Sequence, residues 1–270
     1  MQTAETLAAA DRDAEARYQA DGFLVVPDTL LPADLVRRAS QGMDALRRGE
    51  YDTGHPPCPS AWKPGDDPNR LCKIEQPQFA NTAIRELVSH PALGQIAATI
   101  TGATMVQAWW VQLLYKPPSS GNRGTNVGWH QDRSYWGQWE PGSELFTAWV
   151  ALSDVQEHCG PMRFVRGSHR WGLLGQGDFF EQDIAGQRSG ITIPAGKQWE
   201  EVPALLPPGG ASFHDNLTFH GSGPNHSGRA RRSFAIHLRT QNSRPVGDER
   251  QGLTEFIDDT TLCPVLYAHS

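Results

Sequence analysis

The feature that most constrains the fold of this chain is the tetrapeptide Trp129-His130-Gln131-Asp132. On an extended strand, side chains two residues apart point to the same face, so His130 and Asp132 can offer an imidazole nitrogen and a carboxylate oxygen to one metal ion. A facial donor set needs a third ligand. The candidate is His220, in a His-Gly-Ser-Gly-Pro-Asn segment that we expect on a strand late in the chain. The chain must therefore fold so that two distant strands meet.

The first third of the chain is dominated by helical patterns. The N-terminal segment is rich in Ala, Glu and Arg, and apolar residues recur at helical spacing after Pro32. A loop rich in Pro and Gly over residues 50–70 separates the early elements from the later ones. The elements expected here are helices near 4–20, 31–49, 80–89 and 91–101, and short strands near 23–26 and 71–76, the second of which carries Lys73.

From residue 103 the pattern changes to short apolar runs separated by Gly and Pro, which is typical of a β-sandwich or barrel. We therefore expect a mainly β fold with N-terminal helices. Residues 1–270 are expected to form one domain, with 1–102 as mainly helical support, 103–240 as the β core and 241–270 as a tail that packs back on it. The strands expected in the core are 104–116, 126–131, 144–154, 161–165, 199–206, 210–215 and 230–240.

The direction of Arg231 follows from alternation along the last of these strands. Phe234, Ile236 and Leu238 share the face that should pack under the helices, so Arg231 points into the β core and Arg232 points outward. An inward arginine needs an anionic partner because an unpaired buried charge is very costly. A ligand carboxylate matches the planar fork of the guanidinium. We expect Arg231 on a strand adjacent to that of His220, facing the same pocket.

Charge and cysteine usage exclude some classes of partner. The formal net charge is −6 and no long basic stretch is present, which argues against nucleic acid. No apolar segment approaches the roughly 20 residues that span a bilayer, and the N-terminal residues lack the apolar run of a secretory signal. The four cysteines are scattered without a CxxC pair, which favours a reduced, cytoplasmic setting.

A series of short motifs runs in order along the chain: Lys116-Pro117-Pro118, Trp129-His130-Gln131-Asp132, Ala148-Trp149-Val150-Ala151-Leu152, Gly160-Pro161-Met162-Arg163, Gly167-Ser168-His169-Arg170, Pro208-Gly209-Gly210, His220-Gly221-Ser222-Gly223-Pro224-Asn225 and Arg231-Arg232. With these motifs the chain resembles, over most of its length, the phytanoyl-CoA dioxygenase-like (PhyH) family of iron(II)- and 2-oxoglutarate-dependent oxygenases. Two departures are Cys159, where the family usually has a small polar residue, and Arg166, where it usually has proline.

The resemblance implies a double-stranded β-helix, or jelly-roll, core packed against helices. It also implies that His130, Asp132 and His220 bind Fe(II), and that 2-oxoglutarate and O2 take the open positions. Arg231 would pair with the distal carboxylate of 2-oxoglutarate, with a hydrogen bond from Ser222. Lys73 and Gln112 are similar to family residues at the cosubstrate end, and Trp149 is similar to a wall residue.

The implied activity is hydroxylation, or a related oxidation, of a small molecule with release of succinate and carbon dioxide. The carboxylate of Asp132 argues against chlorination, because a small residue there would be needed to admit halide. The alternatives are a non-catalytic jelly-roll binding protein that keeps a metal for structure, and a zinc hydrolase on the same scaffold.

Some assignments stay open on the sequence. His214 is a rival ligand, because it precedes His220 by an even number of residues, although a turn near Leu217 disfavours it. His237 is either a pocket wall or a core histidine with its hydrogen bonds satisfied. Trp62, Trp136 and Trp139 suggest an aromatic mouth that would suit a ring, an alkyl chain or a cation. The substrate and the oligomeric state are not determined.

Overall fold

The structure is a computed structural model that describes residues 4–119 and 125–269. Its helices agree with the predicted ones except for the last, which is short, has no buried residue and therefore leaves no apolar repeat in the sequence. Asn81 and His90 cap the starts of the third and fourth helices by accepting backbone N–H bonds. The helices are α1 (Ala4–Asp21), α2 (Ala33–Arg47), α3 (Thr82–Val88), α4 (Pro91–Thr101) and α5 (Ile184–Gly190).

The strands form two antiparallel sheets. They are β1 (Phe23–Val26), β2 (Cys72–Glu75), β3 (Met105–Lys116), β4 (Val127–His130), β5 (Leu145–Ala151), β6 (Met162–Val165), β7 (Glu201–Pro203), β8 (Ala211–Asp215), β9 (His220–Ser222), β10 (Arg231–Thr240) and β11 (Val265–Ala268). The larger sheet has the order β1-β8-β5-β10-β3-β11, with β2 also paired to β3, and the smaller has the order β4-β9-β6-β7. The expected jelly-roll core, packed against helices, is confirmed.

The helices cover one face of the larger sheet. Leu35, Val36, Ala39, Met43 and Leu46 recur along one side of α2 and pack in a single buried cluster with residues of α3, α4 and the larger sheet. On β10, the members of this cluster are Phe234, Ile236 and Leu238, the face predicted from alternation. The other face of the larger sheet looks toward the smaller sheet and is lined by a second apolar cluster, which includes Trp149 and Phe164.

A β-bulge at Trp109 sets which side chains of β3 face the interior. His237 pairs with Trp110 and Leu238 pairs with Ala108, so Trp109 is the extra residue. A bulge of this kind re-aims the side chains that follow it. From Trp110 onward the alternation places Gln112, Leu114 and Lys116 on the inner face.

Three expectations about the motif strands are corrected. β4 ends at His130, and Asp132 opens a 3-10 turn that follows, because only Gln131 continues the extended backbone. Arg231 begins β10 in the larger sheet, whereas His220 begins β9 in the smaller one, so their strands are not adjacent but face each other. The predicted strand 199–206 is reduced to β7.

The C-terminal segment packs back on the core through β11, which pairs with β3. The four cysteines are free. No helix in the described ranges is both long and apolar enough to span a membrane.

Candidate metal centre

His130 and His220 meet because their strands pair. They are direct register partners in the antiparallel pair of β4 and β9, and opposed residues of such a pair project from the same face. Their ring centroids lie 4.1 Å apart, and both side chains are buried. Strand pairing thus brings together two imidazoles that are far apart in the sequence.

Asp132 joins the two histidines from the start of the 3-10 turn. Its Oδ1 lies 3.5 Å from Nε2 of His130 and 3.6 Å from Nε2 of His220. One ligand atom from each of the three residues falls within 4.8 Å of the others, and all three residues are buried. The spacing and the donor types, two imidazoles and one carboxylate, fit a divalent transition metal with open positions.

The tautomer of each histidine suits metal binding. Nδ1 of His130 lies 2.8 Å from the carbonyl oxygen of Gly128, and Nδ1 of His220 lies 2.9 Å from that of Thr218. A carbonyl only accepts, so each Nδ1 carries the proton and each Nε2 presents its lone pair toward Asp132. These contacts fix the ring orientations in the way that outer hydrogen bonds orient metal-binding histidines.

The electrostatics of the cluster favour the same protonation states. Burial, reinforced by His130 and His214, holds the pKa of His220 well below 6.5. Burial alone would raise the pKa of Asp132, but the surrounding histidines, with His220 foremost, outweigh it and hold that pKa well below 3.8. The cluster thus combines a carboxylate that stays ionised with a buried imidazole of His220 that resists protonation, as a metal site requires.

The second oxygen of Asp132 is bound by the larger sheet. Oδ2 accepts hydrogen bonds from Oγ1 of Thr147 at 2.9 Å and from Nε2 of His214 at 3.3 Å. Thr147 in turn accepts from Nδ1 of His237 at 2.8 Å, since its own proton is directed to Asp132. His214, the rival candidate ligand, therefore donates to Oδ2 of Asp132, whereas the two histidines of the candidate metal site lie near Oδ1. His237 lines the pocket and also has a hydrogen-bond partner.

Arg231 lies inside the core with part of its guanidinium unpaired. Nη1 donates to the carbonyl oxygen of Gly160 at 2.7 Å and to Oγ of Ser222 at 2.8 Å. Nε and Nη2 are buried without a hydrogen-bond partner, and no carboxylate of the described chain lies within ion-pair distance. Burial lowers the pKa of Arg231 to about 10, so it remains charged at neutral pH. Arg232 points outward and donates to Asp44 on α2 at 2.8 Å.

A narrow inner cavity connects the three candidate ligands to Arg231. Gln112 and Trp149 line it, and the Trp149 ring lies 5.0 Å from the guanidinium carbon of Arg231. Its free volume is about 20 Å³, room for roughly one water. A larger ligand therefore requires the lining side chains to move apart, and Met162 and Phe179 are among those that line it.

An outer pocket of about 270 Å³ opens on the other side of His130 and Asp132. Lys73 lies in this pocket, where its Nζ is 2.9 Å from Oε1 of Glu75, and it is absent from the described lining of the inner cavity. Gln112 lines both spaces.

Of the three tryptophans expected at an aromatic mouth, Trp136 lines the outer pocket. Trp139 packs in the core against Trp109, and Trp62 lines a neighbouring cleft. Five aromatic side chains line the outer pocket, namely Trp110, Tyr135, Trp136, Phe179 and Phe180.

The predictions from sequence did not assign a role to Thr147 or Lys116, although both carry a signal. Thr147 is the polar residue of a strand that is otherwise apolar, and it shares the face of Trp149. Lys116 pairs in register with Arg231 and shares the inner face of Gln112 and Leu114. Alternation counted from the inward Arg231 across to β3 would have found Lys116.

A jelly-roll with a buried pair of histidines and one carboxylate defines the class of non-haem iron oxygenases that use a 2-His-1-carboxylate triad. A family model described as phytanoyl-CoA dioxygenase (PhyH) matches residues 18–233. The chain therefore belongs to the phytanoyl-CoA dioxygenase family, within the superfamily of iron- and 2-oxoglutarate-dependent dioxygenases. The family predicted from the sequence motifs is confirmed.

The relatives share low sequence identity with this chain, but the matched segments are long. A probable alpha-ketoglutarate-dependent hypophosphite dioxygenase of Stutzerimonas stutzeri is 26% identical over 191 residues, which are 68% of this chain and 62% of that protein. The chain thus spans less than two thirds of that relative's length. The ectoine dioxygenase of Bordetella parapertussis is 26% identical over 249 residues, 84% of this chain and 74% of that protein.

Solved structures support the fold. The epimerase SnoN, in complex with Fe3+, alpha ketoglutarate and nogalamycin RO, has a TM-score of 0.70 at 24% identity and covers 89% of this chain and 88% of its own. AviO1 of Streptomyces viridochromogenes has a TM-score of 0.61 at 26% identity and covers 88% of this chain and 98% of its own. The carbocyclase SnoK has a TM-score of 0.68 at 20% identity, covering 94% of this chain and 95% of its own.

The contacts of Thr147 lead to a prediction for metal affinity. Thr147→Val keeps the shape of the side chain but removes the donor to Asp132, so we expect Mn(II) affinity to fall roughly 10–100-fold. Titration calorimetry with Mn(II) measures this change. Thr147→Ser restores a hydroxyl and should bind within a few-fold of the parent protein. Equal affinity of the parent and the valine variant would show that Thr147 does not support the carboxylate.

Proposed function

We propose that this protein is an Fe(II)- and 2-oxoglutarate-dependent oxygenase that hydroxylates a small molecule. His130 and His220 would bind the metal through Nε2 and Asp132 would bind it through Oδ1. Arg231 would bind the distal carboxylate of 2-oxoglutarate, beside Trp149 and Gln112. Hypophosphite dioxygenase and ectoine dioxygenase among the relatives support an oxidative reaction on a small molecule.

The observation that carries this proposal is the unpaired, buried edge of Arg231. A guanidinium with two nitrogens, and therefore three N–H groups, lacking acceptors is costly in a protein interior unless an anion binds there. Arg231, which carries these unpaired groups, lines the inner cavity together with the three candidate ligands. A purely structural metal, or a hydrolytic zinc, has no need of a buried cation at that position.

The residues of the chain would divide the work between them. Bound iron(II), with 2-oxoglutarate and dioxygen, supplies the oxidising chemistry, in which succinate and carbon dioxide are formed. Arg231 would orient the cosubstrate through a charge-assisted, forked hydrogen bond. Thr147 and His214 would keep Asp132 turned toward the two histidines, and Trp149 and Phe164 would exclude water from the core. Lys73 lies in the outer pocket and is absent from the described lining of the inner cavity, so it would not contact the cosubstrate.

The first test is formation of succinate from 2-oxoglutarate with added iron(II) in air. We expect the parent protein to form succinate slowly without substrate, and His130→Ala and Asp132→Ala to lose this activity because each lacks a metal donor. Once a substrate is converted, the mass of its product separates the reaction types, since hydroxylation adds one oxygen and epimerisation leaves the mass unchanged. No succinate from the parent protein, or undiminished turnover in both variants, would refute the assignment.

The neighbouring arginines form a matched pair of variants. Arg231→Ala should raise the KM for 2-oxoglutarate more than tenfold, because loss of a buried ion-pair partner costs about 3–5 kcal/mol. Arg232→Ala removes the same side chain from the outer face and should leave this KM within about twofold. Steady-state kinetics at varied 2-oxoglutarate measures both. The reverse pattern would show that the cosubstrate lies on the other face of β10.

A further inference from the structure

Apart from the candidate ligand Asp132, the charged side chains of the outer pocket pair with each other before any substrate binds. Lys73 and Glu75 lie two residues apart on β2 and form an ion pair of 2.9 Å, with side chains 20% and 16% exposed. The second oxygen of Glu75 accepts a hydrogen bond from Nε1 of Trp110 at 2.7 Å. Among the described lining residues Lys73 is the one lysine or arginine, so an anionic substrate finds no unpaired lysine or arginine there.

Lys73 also occupies a cation–π position over two rings of the aromatic wall, those of Phe179 and Phe180. Nζ of Lys73 lies 4.8 Å from the ring centroid of Phe179 and 5.9 Å from that of Phe180. A cationic ligand would compete with Lys73 for these ring faces. Away from the candidate ligands, most of the remaining wall is aromatic or apolar, and Phe180 is 63% exposed.

We propose that the substrate is an uncharged molecule with a flat aromatic ring system, bound among Trp110, Tyr135, Trp136 and Phe180. The inference rests on the proposed function, which makes the outer pocket the substrate side of the metal. Aromatic walls favour an aromatic guest because ring pairs gain energy beyond the area they bury. The Lys73–Glu75 pair offers one donor and one acceptor, which suits a neutral hydroxyl group.

Four probes of similar size test this specificity in the parent protein by titration with Trp fluorescence at pH 7. They are 2-naphthol, 2-naphthoate, 2-naphthylmethylammonium and 2-decalol, the saturated analogue of the first. We expect 2-naphthol to bind roughly tenfold more tightly than either ion, because an ion gains no free partner and loses hydration. It should also bind more tightly than 2-decalol. Equal binding of 2-decalol would assign the pocket to apolar chains, and tighter binding of either ion, or no binding of any probe, would overturn the proposal.

Reciprocal variants then assign the selectivity to the ion pair. Glu75→Gln leaves Lys73 unpaired, so preference should move roughly tenfold toward 2-naphthoate. Lys73→Met leaves Glu75 unpaired, so preference should move by a similar factor toward 2-naphthylmethylammonium. Neither variant should change the affinity for 2-oxoglutarate with Mn(II). A loss of that affinity in Lys73→Met, without the reciprocal shift, would assign Lys73 to the cosubstrate and contradict the proposal.

The proposed function and the proposed substrate class can be rejected separately. Succinate formation by a protein with no preference for the neutral ring would keep the proposed function and reject the substrate class. Preference for 2-naphthol in a protein that forms no succinate would reject the proposed function alone.

A second inference concerns Lys116, whose side chain is fully buried at the end of β3. Its Nζ donates to the carbonyl oxygen of Ser222 at 3.1 Å, to Oγ of Ser222 at 2.6 Å and to the carbonyl oxygen of Gly223. No carboxylate among the described residues pairs with it. Burial and the neighbouring Arg231 hold the pKa of Lys116 well below 10.5. The three acceptors nevertheless match the three N–H donors of an ammonium group, so the geometry fits a second cation in the interior without an anion.

One oxygen atom links the two buried cations. Oγ of Ser222 accepts from Lys116 and from Arg231 and donates to the carbonyl oxygen of Gly160 at 3.0 Å, so its hydrogen-bonding capacity is used. The hydroxyl proton is thereby committed to Gly160, away from any carboxylate. Ser222 instead fixes Nη1 of Arg231 and leaves Nε and Nη2 unpaired.

We infer that Lys116 is a positioning residue for the distal carboxylate of 2-oxoglutarate. It would act through Ser222 by holding Arg231 in place, and would add a second positive charge behind it. A position needed only for packing would favour an apolar side chain, because a buried ammonium without an anion is costly. This inference also rests on the proposed function.

The test compares 2-oxoglutarate with 2-oxopentanoate, which has a methyl group in place of the distal carboxylate, by calorimetry with Mn(II). Lys116→Met should weaken 2-oxoglutarate roughly tenfold or more and leave 2-oxopentanoate within about twofold. Lys116→Gln, which keeps a donor for Ser222, should show an intermediate loss. Equal weakening of both ligands, no weakening, or failure of both variants to fold would assign Lys116 to stability and overturn the inference. A parent protein that does not prefer 2-oxoglutarate would instead reject the proposed function.

Discussion

A buried guanidinium without an anionic partner is the interaction around which this interior is arranged. Arg231 satisfies one nitrogen through Gly160 and Ser222 and lies over Trp149, yet Nε and Nη2 stay unpaired. Lys116 adds a second buried cation on the neighbouring strand. Proteins tolerate such charges where a ligand compensates them, because desolvating an unpaired ion is costly. The interior is therefore electrostatically incomplete without an anion, and this property distinguishes it from an ordinary packed core.

The two sheets contribute different parts of the site. The smaller sheet supplies His130 and His220 through the pairing of β4 with β9, and the turn after β4 supplies Asp132. The larger sheet supplies Arg231 and the hydrogen bonds of Thr147 to Asp132. The inner cavity lies between the sheets, so no single segment of the chain contains the site. The apolar cluster that includes Trp149 of the larger sheet and Phe164 of the smaller one packs the two halves together.

Alternation along strands was the most informative signal in the sequence. It placed Arg231 inward, Arg232 outward and Phe234 under the helices, because one face of β10 is buried by helices and the other by the opposing sheet. The same signal could not reveal that β4 stops at His130, or that β9 and β10 belong to opposing sheets. Those features depend on long-range pairing, which spacing does not encode. Lys73 lies in the outer pocket and forms an ion pair with Glu75, a contact that a family resemblance does not convey.

The proposed function requires that the inner cavity bind a 2-oxo acid between the three candidate ligands and Arg231. A crystal structure of the protein with Mn(II) and 2-oxoglutarate would test this binding mode. We expect a distal carboxylate oxygen within about 3 Å of Nε or Nη2 of Arg231, with the contact of Arg231 to Ser222 kept. A distal carboxylate bound to Lys73 in the outer pocket, with Nε and Nη2 of Arg231 still unpaired, would contradict it.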